Sequence, residues 1–507
     1  MIQEKTEQQQ QQLPDQHHPP AAPNVDEKWQ QQQPSNMSTE DRMSVTDKSL
    51  IDQESALSNT NDEDLPPRKL LWVIPLAPHV NPIRFVCFLF AVFVSMSVIV
   101  YFAAAQAWTL SSVLMISENT GDATGSLGTY SEVMSVVAVV VWGTLSDRIS
   151  KRSIMSISLM IMGIITIAYP HANNLYPTLL ILRLIYSVGT AGTTCMMAAM
   201  MVEAMHKKNG ILAAMIGACT GLGAIFAVFC LFDVPSQLSY MQDSFTDPIN
   251  IIVSYAIIGA VCTALGLILW PAMPPTIHRV RGEHSFKNFF LRLWNGTKAA
   301  KDPRIALAFV TSFFARSDEV IVSNFISLWV QQYYIEKGVC QVGASCYQGM
   351  ASTSTMTGIA QAVALVSAVF FGGVSEYLPR EIGVLCAGII GAVGCLPFSM
   401  SVDPTSNTSL AYVILIAIGQ YGMIISGMAM LSGEYVSQEI RGSVAGAYSF
   451  CGAVGIIIVS KVGGVLFDQF KKGAPFLILG IGHLVCSLFA IVLLAVRLYK
   501  HLKNRSR

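Results

Sequence analysis

The sequence predicts an all-α membrane protein with twelve transmembrane helices in two six-helix bundles, preceded by a disordered N-terminal tail. Composition is the first reason: of 507 residues, 52% are hydrophobic and only 13% are charged, whereas soluble domains contain about 25% charged residues. The second is a series of apolar runs from residue 83 onward, each about 20 residues long and so able to cross a bilayer. The third is a repeat, because residues 143–152 (GTLSDRISKR) return in degraded form as residues 372–381 (GGVSEYLPRE).

The first 69 residues differ in composition from the rest of the chain. Two glutamine tracts, Gln8–Gln12 and Gln30–Gln33, stand among Ser, Asp, Glu, Asn and Pro. Such a composition cannot bury a core, so residues 1–69 are predicted to be a disordered Gln-rich cytoplasmic tail. The tail lacks the early basic region and apolar stretch of a signal peptide. We therefore expect the first transmembrane helix to act as the targeting signal.

The apolar runs fall into two groups of six. Residues 70–272 are predicted to form an N-terminal six-helix bundle and residues 305–498 a C-terminal one, joined by a polar cytoplasmic loop over 273–304. Residues 499–507 are predicted to be a basic cytoplasmic tail. The expected helices lie near residues 83–105, 128–146, 153–170, 176–201, 211–232, 250–271, 305–330, 354–374, 382–400, 410–431, 444–466 and 474–497.

Lysine and arginine predict the orientation of these helices. With the N-terminus inside, the outer loops contain only Lys337, Lys471 and Lys472, while the hairpins, the central loop and the C-terminal end are rich in Lys and Arg. The positive-inside rule then predicts that both termini and both charged hairpins are cytoplasmic.

Two features of the predicted outer loops depend on that orientation. Cys340 and Cys346 share one loop in an oxidising space, where they either form a disulfide or remain free. Asn407 begins an Asn-Thr-Ser sequon in another outer loop, so glycosylation there is an expectation.

The first hairpin resembles the signature of the major facilitator superfamily, which reads Gly-x-Leu-Ala-Asp-Arg-x-Gly-Arg-Lys between the second and third helices. Six residues match it, and Ser150 stands where the family usually has glycine: Gly143, Leu145, Asp147, Arg148, Lys151 and Arg152. The resemblance covers residues 70–500 and implies the major facilitator fold. It also implies a conformational latch that is formed by Gly143, Asp147, Arg148, Lys151, Arg152, Glu376 and Arg380. The alternative is that these residues are only a positive-inside anchor.

Charged side chains within a bilayer are costly, and we treat them as functional candidates. In the fourth predicted helix, Arg183 shares one helical face with Tyr186, Ser187 and Thr190. Such a polar stripe on an apolar helix favours a wet cavity over lipid. The resemblance implies that the first, fourth, seventh and tenth helices line a central cavity.

The seventh predicted helix contains Arg316, Asp318 and Glu319. Arg316 and Glu319 are three residues apart and can pair along their own helix. Asp318 points to nearly the opposite side and must find another partner or accept a proton. Our hypothesis is that Arg183 and Arg316 hold anionic groups of a substrate or form gating salt bridges, while Glu319 or Asp318 carries a coupling proton. The alternative is a permanent structural ion pair across the two halves.

Four further polar residues receive weaker assignments. Gln420 and Tyr421 lie in the middle of the tenth predicted helix and are candidates for substrate contact. His483 in the twelfth predicted helix is interpreted as a packing residue with one hydrogen bond. Glu132 is expected near a helix end, in contact with water.

Several functions are disfavoured because the sequence lacks their motifs or because its net charge does not suit them. It contains no Gly-x-x-x-x-Gly-Lys-Ser/Thr loop for ATP, no Ser/His/Asp set and no Cys/His cluster with zinc spacing, so we expect no enzyme, no cofactor and no metal site. A net charge of +0 argues against nucleic-acid binding.

The resemblance and the buried carboxyls together predict a secondary active transporter. It would move a small organic solute by alternating access, coupled to protons, as a monomer in the lipid bilayer of a plasma or vacuolar membrane. A non-transporting receptor on the same fold is the alternative, and in that case deletion of residues 1–69 would abolish signalling.

Overall fold

The computed structural model describes residues 68–70, 74–76, 80–146, 148–204, 210–241, 249–275, 286–431 and 440–505. Residues 1–67 of the predicted disordered tail and Asp147 of the first hairpin lie outside these ranges. A short antiparallel hairpin, which the sequence pattern does not predict, precedes the first membrane helix and consists of β1 (Arg68–Leu70) and β2 (Ile74–Leu76).

Twelve long helices follow within the described residues. The first six are α1 (Pro82–Trp108), α2 (Thr120–Ser146), α3 (Lys151–Ala168), α4 (Leu180–Ala204), α5 (Gly210–Phe226) and α6 (Ile249–Ala272). The second six are α7 (Pro303–Glu336), α8 (Tyr347–Tyr377), α9 (Arg380–Ser399), α10 (Asn407–Leu431), α11 (Arg441–Gln469) and α12 (Ala474–Arg505). Two shorter helices, Val234–Met241 and Phe286–Thr297, lie after α5 and in the central loop.

Of the helices in the described part of the chain, eleven are long and apolar enough to cross a membrane. The twelfth long helix, α7, has 34 residues, which is ample length. It is less apolar because Arg316, Asp318 and Glu319 fall within one turn. The predicted class, an all-helical multi-span membrane protein, is confirmed.

The start of α2 differs from the prediction, because the helix begins at Thr120 rather than near residue 128. The added turns consist of small and polar residues that give no hydropathy signal. The carboxylate of Asp468 on α11 accepts the backbone N–H groups of Gly121 at 3.0 Å and Asp122 at 2.7 Å. It thereby satisfies donors that a helix start leaves open.

Three other helix ends also extend past their predicted bounds. α7 continues to Glu336 and α8 begins at Tyr347, so the loop that joins them is shorter than expected. α12 continues to Arg505, so the predicted basic tail is helical as far as the description reaches.

The two groups of six helices, which we call the first and second halves, meet at one end of the bundle. This end carries the loop with Cys340 and Cys346, which the charge bias predicts to be outside, and we call it the outer end. There the Ser112 hydroxyl donates to the Ala344 carbonyl at 2.8 Å, and the Gly343 amide donates to the Ser111 carbonyl at 3.0 Å.

The opposite end, which carries the two charged hairpins, is the inner end. At Gly143 on α2, Gly372 on α8 and Gly442 on α11, no described atom lies within 4 Å of where a Cβ would stand. One core cluster of buried apolar residues runs through the first half into Phe325 and Trp329 of the second. A separate cluster occupies only the second half, around residues such as Val384.

Candidate functional site: a charged cluster between the halves

Three charged side chains from both halves meet near the middle of the protein. Arg316 Nη1 lies 3.9 Å from Glu319 Oε2, so the pairing predicted from their spacing is present. Glu132 on α2 of the first half interacts electrostatically with both. We call Glu132, Arg316 and Glu319 the central cluster.

The central cluster is accessible although it lies mid-helix. The side chains of Arg316 and Glu319 are 50% and 33% exposed. Residues of α2 and α10 approach them, since Glu132 and Tyr421 both interact with Arg316. Because helices of both halves flank Arg316, its exposed side chain faces the space between the halves rather than lipid.

The packing of α7 against α11 sets the position of Arg316. A Cβ at Gly452 of α11 would lie 2.6 Å from Arg316 Cγ, so a glycine is needed for the arginine stem to pass. One turn earlier on α7, the Ser312 hydroxyl donates to the Tyr448 carbonyl at 2.7 Å. Tyr448 also interacts with the Arg316 charge. These contacts fix the position of Arg316 along the axis of the bundle.

Arg183 lies inside the first half and not in the central cluster. Its side chain is 9% exposed, and its Nε donates to Ser131 Oγ at 2.9 Å. The guanidinium carbon lies 5.0 Å from the centre of the Phe102 ring, on which Tyr186 stacks at 3.7 Å. Among the described residues Arg183 Nη1 has no hydrogen-bond partner. A cation–π interaction with the aromatic ring therefore stabilises the charge of Arg183.

Of the other residues of the predicted α4 stripe, Tyr186 donates to the Val98 carbonyl of α1 at 3.1 Å, whereas Ser187 and Thr190 bond within their own helix. Ser187 Oγ donates to the Arg183 carbonyl at 2.9 Å, and Thr190 Oγ1 donates to the Ser187 carbonyl at 3.0 Å. On α10, Gln420 is 3% exposed, whereas Tyr421 interacts with both Arg316 and Glu319. Of these candidates, the structure brings Tyr421 to the central cluster.

Asp318 and His483 form a buried pair on the far side of α7. Asp318 Oδ2 lies 2.9 Å from His483 Nε2, and both side chains are completely buried. The required partner of Asp318 is therefore on α12. Sequence reasoning linked neither residue to the other, because no spacing rule connects two separate helices.

The first hairpin contributes one ion pair at the inner end. Lys151 pairs with Glu203 on α4, within the first half. Arg148 is exposed and Arg152 is partly buried. Asp147 lies outside the described residues, so its predicted part in the latch stays a prediction.

The second hairpin holds a buried acid that sequence analysis did not single out. Glu381 is 5% exposed and lies 3.4 Å from both Arg304 on α7 and Arg497 on α12. Its neighbour Arg380 is partly buried, and the side chain of Glu376 is outside the description. Glu381 thus joins three helices of the second half at the inner end.

Glu132 is the other acid that sequence reasoning undervalued. It was expected near a helix end, but α2 begins at Thr120, which moves Glu132 to the middle of the helix. The helix start depends on packing against α11 rather than on hydropathy. One sequence signal could have indicated the earlier start of α2: the run of small residues before Glu132, which is typical of close helix contacts.

The outer loops contain the two predicted modification candidates. Cys340 and Cys346 are joined by a disulfide. Asn407 is exposed and is the first residue of α10.

Comparison with known proteins identifies the family. The model of the Major Facilitator Superfamily matches residues 87–460 and, in a second match, residues 349–507. The chain belongs to the major facilitator superfamily. It is therefore a multi-pass membrane transporter of a family whose members are typically not enzymes.

Two curated relatives are magnetosome proteins. The chain is 33% identical over 202 residues to the magnetosome protein MamH of Paramagnetospirillum magneticum, a match that covers 40% of this chain and 45% of MamH. It is 27% identical over 194 residues to the magnetosome protein MamZ of Magnetospirillum gryphiswaldense, covering 38% of this chain and 29% of MamZ. The chain thus spans less than half the length of these relatives.

A solved structure shows the same fold at low sequence identity. A mutant of the nucleoside transporter NupG superposes with a TM-score of 0.65 and 14% identity, covering 80% of this chain and 98% of NupG. At this identity the likeness concerns the fold alone.

Proposed function

We propose that this member of the major facilitator superfamily is a secondary active transporter of a small organic solute. It works by alternating access, and the central cluster binds the coupling proton. The observation that carries the proposal is the position of Arg316 and Glu319, half exposed toward the space between the halves, with Glu132 supplied from the opposite half.

The charges of the central cluster favour binding of a proton or a cation. One guanidinium and two carboxylates give a formal sum of −1 when all are ionised. Arginine stays protonated in proteins, and two like charges placed close together repel each other. A proton on Glu132 or Glu319, or an ammonium group of a solute, removes the excess charge. The cluster therefore favours an amine or a zwitterion over a simple organic anion.

The hydroxyls around the central cluster suit a polar organic solute. Tyr421 and Tyr448 both lie close enough to Arg316 to interact with its charge. Each combines an apolar ring with a hydrogen-bonding tip, a combination that is common in small-molecule sites. The names of the magnetosome relatives identify a compartment and no substrate, so the solute class is argued from these side chains.

Alternating access requires that the closed outer end separates while the inner end closes. At the outer end, Lys461 on α11 donates to Asp122 at 2.6 Å and to Ser126 at 2.8 Å on α2. Asp468 on α11 holds the α2 start, as described above. We call these α2–α11 contacts the outer clamp. Its polar bonds can exchange with water when the halves part.

In the same cycle the hairpins act as the latch of the inner end. Gly143 and Gly372 have room for a partner helix to approach. Arg148 is exposed, so its side chain is available to the opposite half. The remaining latch residues in this proposal are Asp147, Lys151, Arg152, Glu376 and Arg380.

Proton flux in proteoliposomes tests the function. Purified protein is reconstituted with a pH-sensitive dye inside, and a panel of amines, amino acids, nucleosides and organic acids is added. Wild type is expected to move protons with at least one amine or zwitterion, and Glu319→Gln and Glu132→Gln are expected to lose that flux. Glu336→Gln is the matched control, because Glu336 lies on the same helix at the outer end and is 63% exposed.

The outcomes separate the alternatives. Proton flux that is unchanged in both cluster variants would contradict the proposal that the central cluster binds the coupling proton. Solute movement without proton flux in wild type would leave a uniporter. Solute binding without any movement would favour the receptor.

A further inference from the structure

We propose that Asp318, Cys395 and His483, with Cys486 beside them, form a binding site for a zinc-type divalent metal ion within the second half. The site lies on the side of α7 away from the central cluster and does not depend on the proposed transport cycle.

Three helices bring the ligands together. Asp318 is on α7, Cys395 on α9 and His483 on α12, and one ligand atom from each lies within 4.8 Å of the other two. All three side chains are completely buried. Zinc binds sulfur at about 2.3 Å and imidazole nitrogen at about 2.0 Å, which places neighbouring ligands about 3 to 4 Å apart. Small side-chain movements would therefore complete the site.

The polar atoms in this group are poorly satisfied without an ion. Both carboxylate oxygens of Asp318 and both ring nitrogens of His483 lack a well-aligned hydrogen bond to any described residue. The 2.9 Å approach of Oδ2 to Nε2 is close, but it does not provide that alignment. Buried groups without partners are costly and rare in native proteins. A cation placed among them would coordinate lone pairs from both side chains.

The donor set matches the chemistry of a borderline divalent ion. A carboxylate oxygen, an imidazole nitrogen and a thiolate sulfur are all zinc ligands. The charges also balance, because one carboxylate and one thiolate neutralise a dication. A neutral unit is much less costly to bury than a lone ion pair with unsatisfied atoms.

Cys486 is a further sulfur atom near this group, but it lies outside the set of three close ligands and bonds to Thr311. It follows His483 by three positions on α12, so both side chains lie on one face of the helix. Cys486 is completely buried and interacts electrostatically with Asp318. The neutral set therefore consists of Asp318, Cys395 and His483, because a second thiolate from Cys486 would give the unit a charge of −1.

The packing of α9 keeps the imidazole in the site. A Cβ at Gly391 would lie 2.3 Å from His483 Cε1, so the ring rests directly on the α9 backbone. Cys395 follows Gly391 by four positions and therefore lies on the same face of α9. The glycine and the cysteine together orient the ring toward Asp318. A bound ion would join α7, the helix of Arg316, to α9 and α12.

Metal content measured on the whole protein tests the site. The full chain is produced in medium with added zinc, purified in detergent without chelator, and analysed by elemental mass spectrometry. We expect one zinc ion per chain in wild type and its loss in Cys395→Ser. Cys262→Ser is the matched control, because Cys262 is a buried cysteine of the first half and its loss should leave the ion in place.

A second measurement does not depend on the variants. Wild type produced with cobalt in place of zinc should show visible bands of bound cobalt and a near-ultraviolet thiolate-to-cobalt band. The thiolate band should persist in Cys262→Ser. Wild-type protein that carries no zinc and shows no cobalt bands would overturn the proposal. Equal metal content in wild type and Cys395→Ser would overturn it as well.

Discussion

Asp318 Oδ2 lies 2.9 Å from His483 Nε2, with both side chains completely buried between α7 and α12. The next residue, Glu319, pairs with Arg316 and is 33% exposed. Successive residues of an α-helix point about 100° apart, so two adjacent acids of α7 face different surroundings. Asp318 holds helices of the second half together, and Glu319 stays available to the space between the halves.

The first prediction concerns the stability of this pair. Asp318→Ala or His483→Ala leaves one buried polar partner uncompensated, which typically costs about 3 to 5 kcal/mol. We expect each single variant to lower the thermal unfolding temperature strongly, and the double variant to lose less than the sum of both. Unfolding of the detergent-purified proteins, followed by intrinsic fluorescence, measures the effect.

Glu336→Gln provides the comparison for that cycle. Glu336 lies 3.6 Å from Lys472 and is 63% exposed, and exposed pairs contribute about 0 to 1 kcal/mol. Its unfolding temperature should hardly change. Strictly additive losses for Asp318 and His483 would show that the two residues stabilise the fold independently.

The second prediction concerns the close approach of α2 and α11. A Cβ at Gly125 would lie 2.3 Å from the Ser460 carbonyl oxygen, so Gly125→Ala forces two backbones apart. Overpacking of this kind costs about 1 to 3 kcal/mol. The closed outer end loses that stability, and we expect more frequent opening to the outside. Labelling of an Ala107→Cys reporter, at a position that is 4% exposed, by a membrane-impermeant maleimide measures it.

Gly128→Ala is the matched control, one turn further along α2. Its Cβ would meet only the Ser460 side chain at 3.6 Å, an ordinary contact. Reporter labelling should stay at the wild-type rate. If Gly125→Ala also labels at that rate, the α2–α11 contact does not control the outer end.

The third prediction ranks the two parts of the outer clamp. Asp468 caps the start of α2 through two backbone N–H groups, whereas Lys461 and Asp122 form an ion pair whose side chains are 45% and 42% exposed. Loss of a helix cap costs about 0.5 to 2 kcal/mol, or about a 2- to 30-fold change in an equilibrium. Asp468→Ala should therefore raise reporter labelling more than Lys461→Gln does. The reverse order would show that the Lys461–Asp122 ion pair contributes more than the Asp468 cap to closure of the outer end.

The sequence predicts contacts within one helix better than contacts between helices. The Arg316–Glu319 pair follows from spacing alone, and the apolar runs indicate all twelve long helices. Glu132 was undervalued because the start of α2 depends on an acceptor from α11. The pairing of Asp318 with His483 needs the packing of α7 on α12, which no local pattern encodes.

The fourth prediction concerns the disulfide loop at the outer end. The disulfide between Cys340 and Cys346 closes a short loop. Such a closure typically stabilises the folded loop by about 2 kcal/mol. Within the loop, Gly343 bonds to Ser111 of the first half. Replacing both cysteines by serine should therefore weaken the contact between the halves and speed labelling of the Ala107→Cys reporter.

A reductant that cannot cross the membrane extends this test to the orientation of the protein. Added outside intact cells, it should reproduce the effect of the double serine variant, because the charge bias predicts that this loop is external. Cys230→Ser is the control, since Cys230 is an exposed free cysteine outside the loop. For protein at the cell surface, action of the reductant only after the cells are made permeable would place the loop in the cytoplasm and make the predicted orientation wrong. If it acts from outside, the loop is external and the charged hairpins of the inner end face the cytoplasm, as the charge bias predicts.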